Sequence, residues 1–534
     1  MAWSRRRVLR GAALAAATAG AGRLAAPGVS RAADRPLASM GVQSGDVQSG
    51  GLNSGGSRGS SAMVWTRADR PARAVVEAST TESFREIVAT GRVDLLPGTD
   101  LTGKVLLDGL PPGQEVFYRF ALSDLHEPAL RGESIAGRFR TAAADPARGV
   151  SFVWSGDTVG QGWGIDAARG GMRTYATMLG HRPDFFVHSG DTIYADNPLQ
   201  AEVALPGGGT WRNLLVPEKL KAAETLDEFR GNFRYNLLDE NLRAFNAAVP
   251  TLAQWDDHEV TDNWWPDQPL NQPVHRRRGY TERFMTPLAA RASRAFHEYM
   301  PTGFTPQEPG RVYRKVSYGP HCDVFLLDMR SYRGPNGENR QVGPGPDAAL
   351  LGAAQLGWLQ RELAASRATW KFIAADQPIG LVVYDDFATR TGSEAVGQGE
   401  GPPLGRELEI AALLRFIRDA GVRNTVWLTA DVHYTAAHRY DPGRAVFQEF
   451  EPFWEFVSGP IHAGTFGPNA LDPTFGPQAV FVKAPPPGQF NLPPSAGLQF
   501  FGHCAIEGST GRLTVTLRDV ADTPLWAITL DPAR

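Results

Sequence analysis

With 534 residues, 42% of them hydrophobic and 21% charged, the chain is long enough for a large core and for more than one domain. A formal net charge of −3 gives no electrostatic reason to expect a nucleic-acid partner or a basic membrane-binding surface. Two cysteines, Cys322 and Cys504, exclude a disulfide scaffold and a thiolate zinc cluster, and no spacing decides whether they pair.

Residues 1–33 read as an export signal. Ser4-Arg5-Arg6-Arg7-Val8-Leu9-Arg10 precedes a mildly apolar run from Gly11 to Ala21, and Ser30-Arg31-Ala32 puts small residues at the two positions a signal peptidase reads. Paired arginines before a weakly hydrophobic Ala/Gly stretch resemble a twin-arginine signal. This predicts passage through the Tat translocase to the periplasm or the extracellular side. No later run reaches the roughly 18 apolar residues of a membrane span.

From 37 to 142 the pattern is β. The Gly/Ser-rich stretch Ser44 to Ser61 reads as a loop, with Asp46-Val47 available to a short edge strand. Ala62–Thr66, Ala74–Glu77, Gly103–Leu107, Glu115–Phe120 and Gly137–Thr141 are short strand-like runs between turn residues. Leu107 to Gly113 followed by Tyr118 looks like the corner of a small all-β fibronectin or immunoglobulin-like sandwich. That module carries no chemistry.

Residues 148–534 change period. Five apolar runs end in an acid: Phe152 to Asp157, Phe185 to Asp191, Val324 to Asp328, Lys371 to Asp376 and Val426 to Asp431. Helical stretches such as Ala353–Ser366 and Glu407–Ala420 separate them, which is α/β alternation. Strands of this kind are buried on both faces and collect function at their carboxyl ends, so the five acids are expected on one rim. Thr225-Leu226-Asp227-Glu228 has capping-box spacing, and an apolar stripe from Phe229 then predicts one helix to about Ala248. Phe466 to Pro494 reads as a long irregular loop, a partial lid over the site. Leu513–Leu517 and Leu525–Leu530 alternate as a closing antiparallel pair.

Trp255-Asp256-Asp257-His258-Glu259 packs three carboxylates and an imidazole behind the buried strand Val249 to Ala253. Such charge density at the end of an apolar run costs folding energy unless a cation compensates it. With Gly190-Asp191-Thr192-Ile193-Tyr194 and Asp431-Val432-His433 the donors are oxygen and nitrogen, suited to iron, manganese, zinc or calcium. Asp431 and His433 can face one way only if the backbone is extended or turning there. Two cations sharing one acid could deprotonate water and hold phosphate oxygens. His188 lies inside a strand as a core histidine; His438 and His462 stay unassigned on the rim. Trp264 and Trp265 either wall a cleft or close the core.

In order, Ser155-Gly156-Asp157, Gly190 to Tyr194, Trp255 to Val260, Leu327-Asp328-Met329-Arg330-Ser331-Tyr332-Arg333 and Ala430 to His433 resemble the alkaline phosphatase D family of calcineurin-like metallophosphoesterases. The resemblance implies a four-layer αββα sandwich over 148–534. It implies Asp191 as the acid bridging two metals, and Asp157, Tyr194 and His433 as ligands of the first, taken as Fe(3+). Asp257 and Asp431 would serve the second, taken as Ca(2+), with Mn(2+) or Zn(2+) as alternatives. Asp376 stands loosely where the superfamily has a histidine ligand. His258 would protonate the leaving oxygen or steady the transition state.

Arg330 and Arg333 could hold phosphate bidentately or pair with acids. Asn263 could bond the same phosphate or cap a turn. The chain departs from many members in carrying Asp157 where they have cysteine, and Ala430 where glycine is usual. The implied function is a secreted phosphoric ester hydrolase in which a metal-activated hydroxide attacks the phosphorus of a monoester or diester. A phospholipase D-type diesterase on lipid or cell-wall diesters is the rival within enzymes, and a non-catalytic cell-surface binding protein the rival outside them.

Overall fold

The computed structural model describes residues 35–52 and 58–533, so the export signal expected at 1–33 lies outside the described residues. The N-terminal strands are β1 (Ala38–Leu52), β2 (Arg58–Ala68), β3 (Ala72–Ser79), β4 (Ile87–Leu95), β5 (Thr102–Leu110), β6 (Glu115–Asp124) and β7 (Ile135–Arg140). Period-two burial makes them: Ala72, Ala74, Val76 and Ala78 of β3 point inward, as do Val116, Tyr118, Phe120 and Leu122 of β6. β8 (Val150–Ser155), β9 (Phe185–Ser189) and β10 (Thr251–Gln254) follow. Next come β11 (Arg314–Tyr318), β12 (Cys322–Leu326), β13 (Trp370–Ala374), β14 (Thr425–Thr429), β15 (Thr435–Tyr440), β16 (Phe453–Val457) and β17 (Pro477–Lys483). β18 (Phe500–Ile506), β19 (Leu513–Asp519) and β20 (Pro524–Leu530) end the chain, the last two as the antiparallel pair their alternation predicts.

Among the described residues these strands build three larger sheets. A nine-stranded mixed sheet runs β20-β19-β18-β8-β9-β10-β1-β2-β5, a seven-stranded one β11-β12-β13-β14-β16-β15-β17, and a four-stranded one β4-β3-β6-β7. The two large sheets share one core, in which Phe152 of β8 meets Phe372 of β13 edge to face at 4.9 Å. Helices cover the outer faces. On the first sheet, residues of α1 (Arg173–Gly180), α2 (Leu226–Asn236), α3 (Glu240–Asn246) and α4 (Met285–Tyr299) pack with Val153, Phe186 and Ala253. On the second, α5 (Gly352–Ala365) and α6 (Glu407–Asp419) pack with Phe325, Ile373 and Trp427. Cys322 and Cys504 are both free thiols inside the shared core.

Three expectations need correction. Residues 44–52, read as loop, lie in β1, which pairs parallel with β10 at Gly45↔Thr251 and antiparallel with β2. The small residues are there for close approach: a Cβ on Gly45 would collide with the carbonyls of Thr251 and Pro301. Asp46, at φ 42°, sits in an irregularity of that strand and takes the Arg314 guanidinium at 2.7–3.1 Å. The single helix expected to Ala248 is two, because Asp239 caps α3 through Leu242 N–H at 3.0 Å and ties it to Met172 N–H at 2.9 Å. The stretch 466–494 holds β17, an edge strand with mostly exposed side chains on β15; its backbone ladder left no apolar period to read.

Removing one partner of the buried Asp46–Arg314 pair leaves an uncompensated guanidinium between β1 and β11. Asp46→Ala is expected to cost about 3–5 kcal/mol of unfolding free energy, measured by urea denaturation.

Candidate metal centre

Strands β8, β9 and β10 are parallel neighbours, so their carboxyl ends open at one edge of the first sheet. β12, β13 and β14 do the same in the second. The acids expected on one rim therefore come from two sheets whose carboxyl edges meet. The backbone turns sharply as it leaves the strands: Asp157, Asp191, Asp431 and His433 all hold left-handed φ, at 66°, 53°, 64° and 60°. Such conformations are costly for residues with a Cβ and cluster where function demands them. At Gly190, φ 99°, any Cβ would strike Asp256, which is why glycine precedes Asp191.

Three groups of donor atoms lie within 4.8 Å of one another: Asp157 with Asp191 and His433, Asp191 with Asp257 and His258, and Asp256 with Asp257 and Asp431. Asp191 belongs to the first two and Asp257 to the last two. Tyr194 joins the first group through its hydroxyl, 2.9 Å from His433 Nε2. His433 Nδ1 donates to Gly464 O at 2.5 Å, which leaves Nε2 as a lone-pair donor.

A cation fits this chemistry. Both oxygens of Asp157 and Oδ1 of Asp257 are buried with no hydrogen-bond partner among the described residues. Burial, and then the neighbouring carboxylates, push Asp157, Asp191 and Asp431 well above the ordinary carboxylate range, and Asp257 up to about 6. Burial drives His433 down to about 4, so its imidazole is neutral and able to ligate. Burial and the charges of Asp191 and Asp157 drive the Tyr194 phenol up.

His258 is built differently. Its backbone N–H donates to Asp191 Oδ1 at 3.1 Å, its ring stacks on Tyr194 at 4.2 Å, and Nδ1 meets Asp196 Oδ1 at 2.7 Å. Burial alone would discharge the ring, but Asp196 and Asp257 override it and raise His258 to about 10. Arg278 and the Asp262 N–H hold the other Asp196 oxygen at 2.9 and 3.0 Å. Asp196 and Arg278 went unnoticed in the sequence; the one local signal was an acid two residues after Tyr194. Glu259 stitches the two loops together, accepting from Thr192 N and Oγ1 and from the Asp191 and Asp256 N–H groups.

The remaining candidates fall elsewhere. Asp328 caps its own turn, accepting from Trp255 Nε1 and the Arg330 and Ser331 N–H groups. Asp376 is fully buried beside Arg330 Nε at 3.3 Å and outside the three groups. Arg330 and Arg333 take the ion-pairing alternative: neither side chain is exposed, Arg330 is surrounded by carboxylates, and Arg333 pairs with Glu394, which serves both. Asn263 caps rather than binds, its N–H on Asp257 Oδ2 at 2.6 Å and its amide on Asp385 O. His188 bonds Thr158 as a core histidine, His438 pairs with Glu455, His462 reaches Gly164 O, and Trp264 lies in the core.

Two β-sheets bringing carboxylates and histidines to a common edge define a metallophosphoesterase-like fold. The fold matches a solved structure of PhoD, with TM-score 0.65, 22% identity, and 92% of this chain and 88% of that one covered. It also matches the purple acid phosphatase PPD1 from yellow lupin (Lupinus luteus) seeds, with TM-score 0.52, 12% identity, and 93% and 74% covered. The chain belongs to the PhoD-like phosphatase family: its model matches residues 152–517, and that of the family's N-terminal domain residues 23–143. Alkaline phosphatase D of Bacillus subtilis (strain 168) is 28% identical over 417 residues, a match taking in 74% of this chain and 64% of that relative's length. No helix among the described residues is long and apolar enough to cross a membrane.

Carboxyl groups whose folded pKa is raised stabilise the fold below their unfolded pKa, and that contribution is lost as pH rises through the folded value. For Asp257 and Glu259 those values are about 6 and about 7. The metal-stripped chain should therefore lose several degrees of melting temperature between pH 5 and pH 8, and metal should restore them at pH 8. Calorimetric scans with chelator and with added metal check this.

Proposed function

We propose that the chain is an exported hydrolase of phosphoric esters that works with two hard cations sharing Asp191. The observation that carries this reading is that Asp191 is gathered both with Asp157 and His433 and with Asp257 and His258, the charged His258 serving in the second group as proton donor and not as a ligand. Family membership supports the reaction class. The carboxylate, imidazole and phenol donors suit Fe(3+) at Asp157, Asp191, Tyr194 and His433, and Ca(2+) at Asp257 and Asp431, with Mn(2+) or Zn(2+) chemically acceptable. Bound there, the cations would lower the pKa of water and neutralise phosphoryl oxygens.

The chain's own residues do the rest. Asp191 would serve both groups, and the His258 N–H bond to its Oδ1 helps hold the carboxylate in place. His258 is the proton donor to the leaving oxygen. With Nδ1 turned to Asp196, Nε2 carries the transferable proton, 3.7 Å from Asp262 Oδ1, and the Asp196 charge keeps the ring protonated into alkaline conditions. Asp196 positions that ring, and Arg278 keeps Asp196 ionised. Residues 37–142 are proposed as a structural module without chemistry, and Ser4 to Arg10 as the export address.

Metal-loaded protein should hydrolyse a chromogenic phosphate ester, the monoester or the diester showing which class it prefers. A loaded preparation inert toward both sinks the reading. His258→Ala should lower kcat about 10²–10⁴-fold with metal content unchanged, measured by steady-state kinetics and elemental analysis. Asp196→Asn should lower kcat more than it raises KM and move the alkaline limb of the pH profile to lower pH, because the imidazolium loses its counter-charge.

A further inference from the structure

Arg330 is a fully buried charged side chain that the proposed reaction does not use. It follows β12, its side chain has no exposure, and carboxylates surround it. Nε donates to Asp256 Oδ1 at 2.6 Å and lies 3.3 Å from Asp376 Oδ2; Nη1 donates to Glu394. Nη2 stands 2.5 Å from Asp256 Oδ1, 3.8 Å from Asp431 Oδ1 and 4.0 Å from Asp257 Oδ1. Those last three acids are the third donor group able to hold a metal. The guanidinium pairs directly with Asp256 and supplies positive charge on that side of the group, while Asp256 Oδ2 and Asp257 Oδ1 keep no hydrogen-bond partner among the described residues.

We infer that Arg330 is a built-in cation that takes the place of a metal ion at Asp256, so that the Asp256–Asp257–Asp431 group binds no ion of its own and the chain carries two metals rather than three. This rests on the proposed dinuclear reading. The surroundings explain why a guanidinium suits the place. Asp256 is fully buried, and Glu394 is itself paired with both Arg330 and Arg333. Gln377 Nε2 also donates to Glu394 Oε1 at 2.7 Å, and Arg406 bonds the Glu394 carbonyl at 3.0 Å, so the counter-ion is held in a fixed frame. A spherical ion would have to gather Asp256, Asp257 and Asp431 to about 2–2.6 Å; the planar fork instead serves acids on several sides without drawing Asp257 and Asp431 away from the proposed second metal. Arg330 is thus a positioning residue.

The test is metal stoichiometry, read by elemental analysis and calcium titration of stripped and reloaded full chain. The wild type should take up two equivalents, and Asp256→Asn should still take two. Arg330→Met should gain one additional divalent equivalent, lost again in Arg330→Met with Asp256→Asn, while Arg330→Lys, which keeps a charge, should stay at two. A third equivalent in the wild type that disappears in Asp256→Asn overturns the inference, as does a folded Arg330→Met with an unchanged count. Should Arg330→Met not fold, the wild type and Asp256→Asn counts decide alone. A chain that takes up no metal at all overturns the dinuclear reading itself, whereas a third ion overturns only the role given to Arg330.

Discussion

Crowded buried carboxylates are the constraint on which the rest of this structure depends. Asp157, Asp191, Asp256, Asp257, Asp376 and Asp431 are gathered at the meeting edges of two sheets, all but Asp431 almost wholly out of water. Like charges this close cannot all ionise in a poorly solvated interior without a counter-charge. Arg330 pairs with Asp256 and Asp376, and the charged His258 stands beside Asp191 and Asp257. Orphaned oxygens nonetheless remain on Asp157, Asp256, Asp257 and Asp376 among the described residues, so the protein's own cations answer these carboxylates only in part.

The frame is stiff because its strain is supported from behind. Four proposed ligands sit in left-handed backbone at strand exits, a conformation held by the bonds of Glu259 to the Thr192, Asp191 and Asp256 amides and by the parallel pairing of β8, β9 and β10. Glycines stand where the chains pass closest: a Cβ on Gly459 would collide with Asp157 Oδ2, as one on Gly190 would with Asp256. Neighbouring elements also sort two histidines of similar burial into opposite roles. Burial in a dry pocket keeps His433 neutral, with Nδ1 tied to the Gly464 carbonyl, whereas Asp196 keeps His258 charged. Environment, rather than residue type, assigns the chemistry.

The N-terminal strands take part in this support. β1, β2 and β5 extend the sheet that carries Asp157, Asp191 and Asp257, and Asp46 of β1 anchors Arg314 of β11 in the opposite sheet. Arg314 also donates to the carbonyl of Ala253, at the strand leading into Trp255 to Glu259. The segment that precedes the metal centre in the chain is thus bonded to the strand that delivers it.

Much of the site was legible in the residues themselves. Apolar runs ending in acids report strands buried on both faces with polar ends, because burial along a strand is a local pattern, and the ordered blocks around Asp157, Asp191, Asp257 and His433 hold side chains that the fold gathers into groups able to hold a cation. The strand β1 was not legible, since glycine and serine in close packing look the same as glycine and serine in a loop until the neighbour is known. Nor were the partners that settle each charge. Arg330 meets Asp256 across 74 positions and Glu394 across 64, and His258 meets Asp196 across 62. By itself the sequence determined which side chains could bind a cation and on which strand ends they stand. Only the tertiary structure decided which of those charges is neutralised by the protein and which is left for a metal, because the energy of a buried charge depends on what the fold brings within a few ångströms of it.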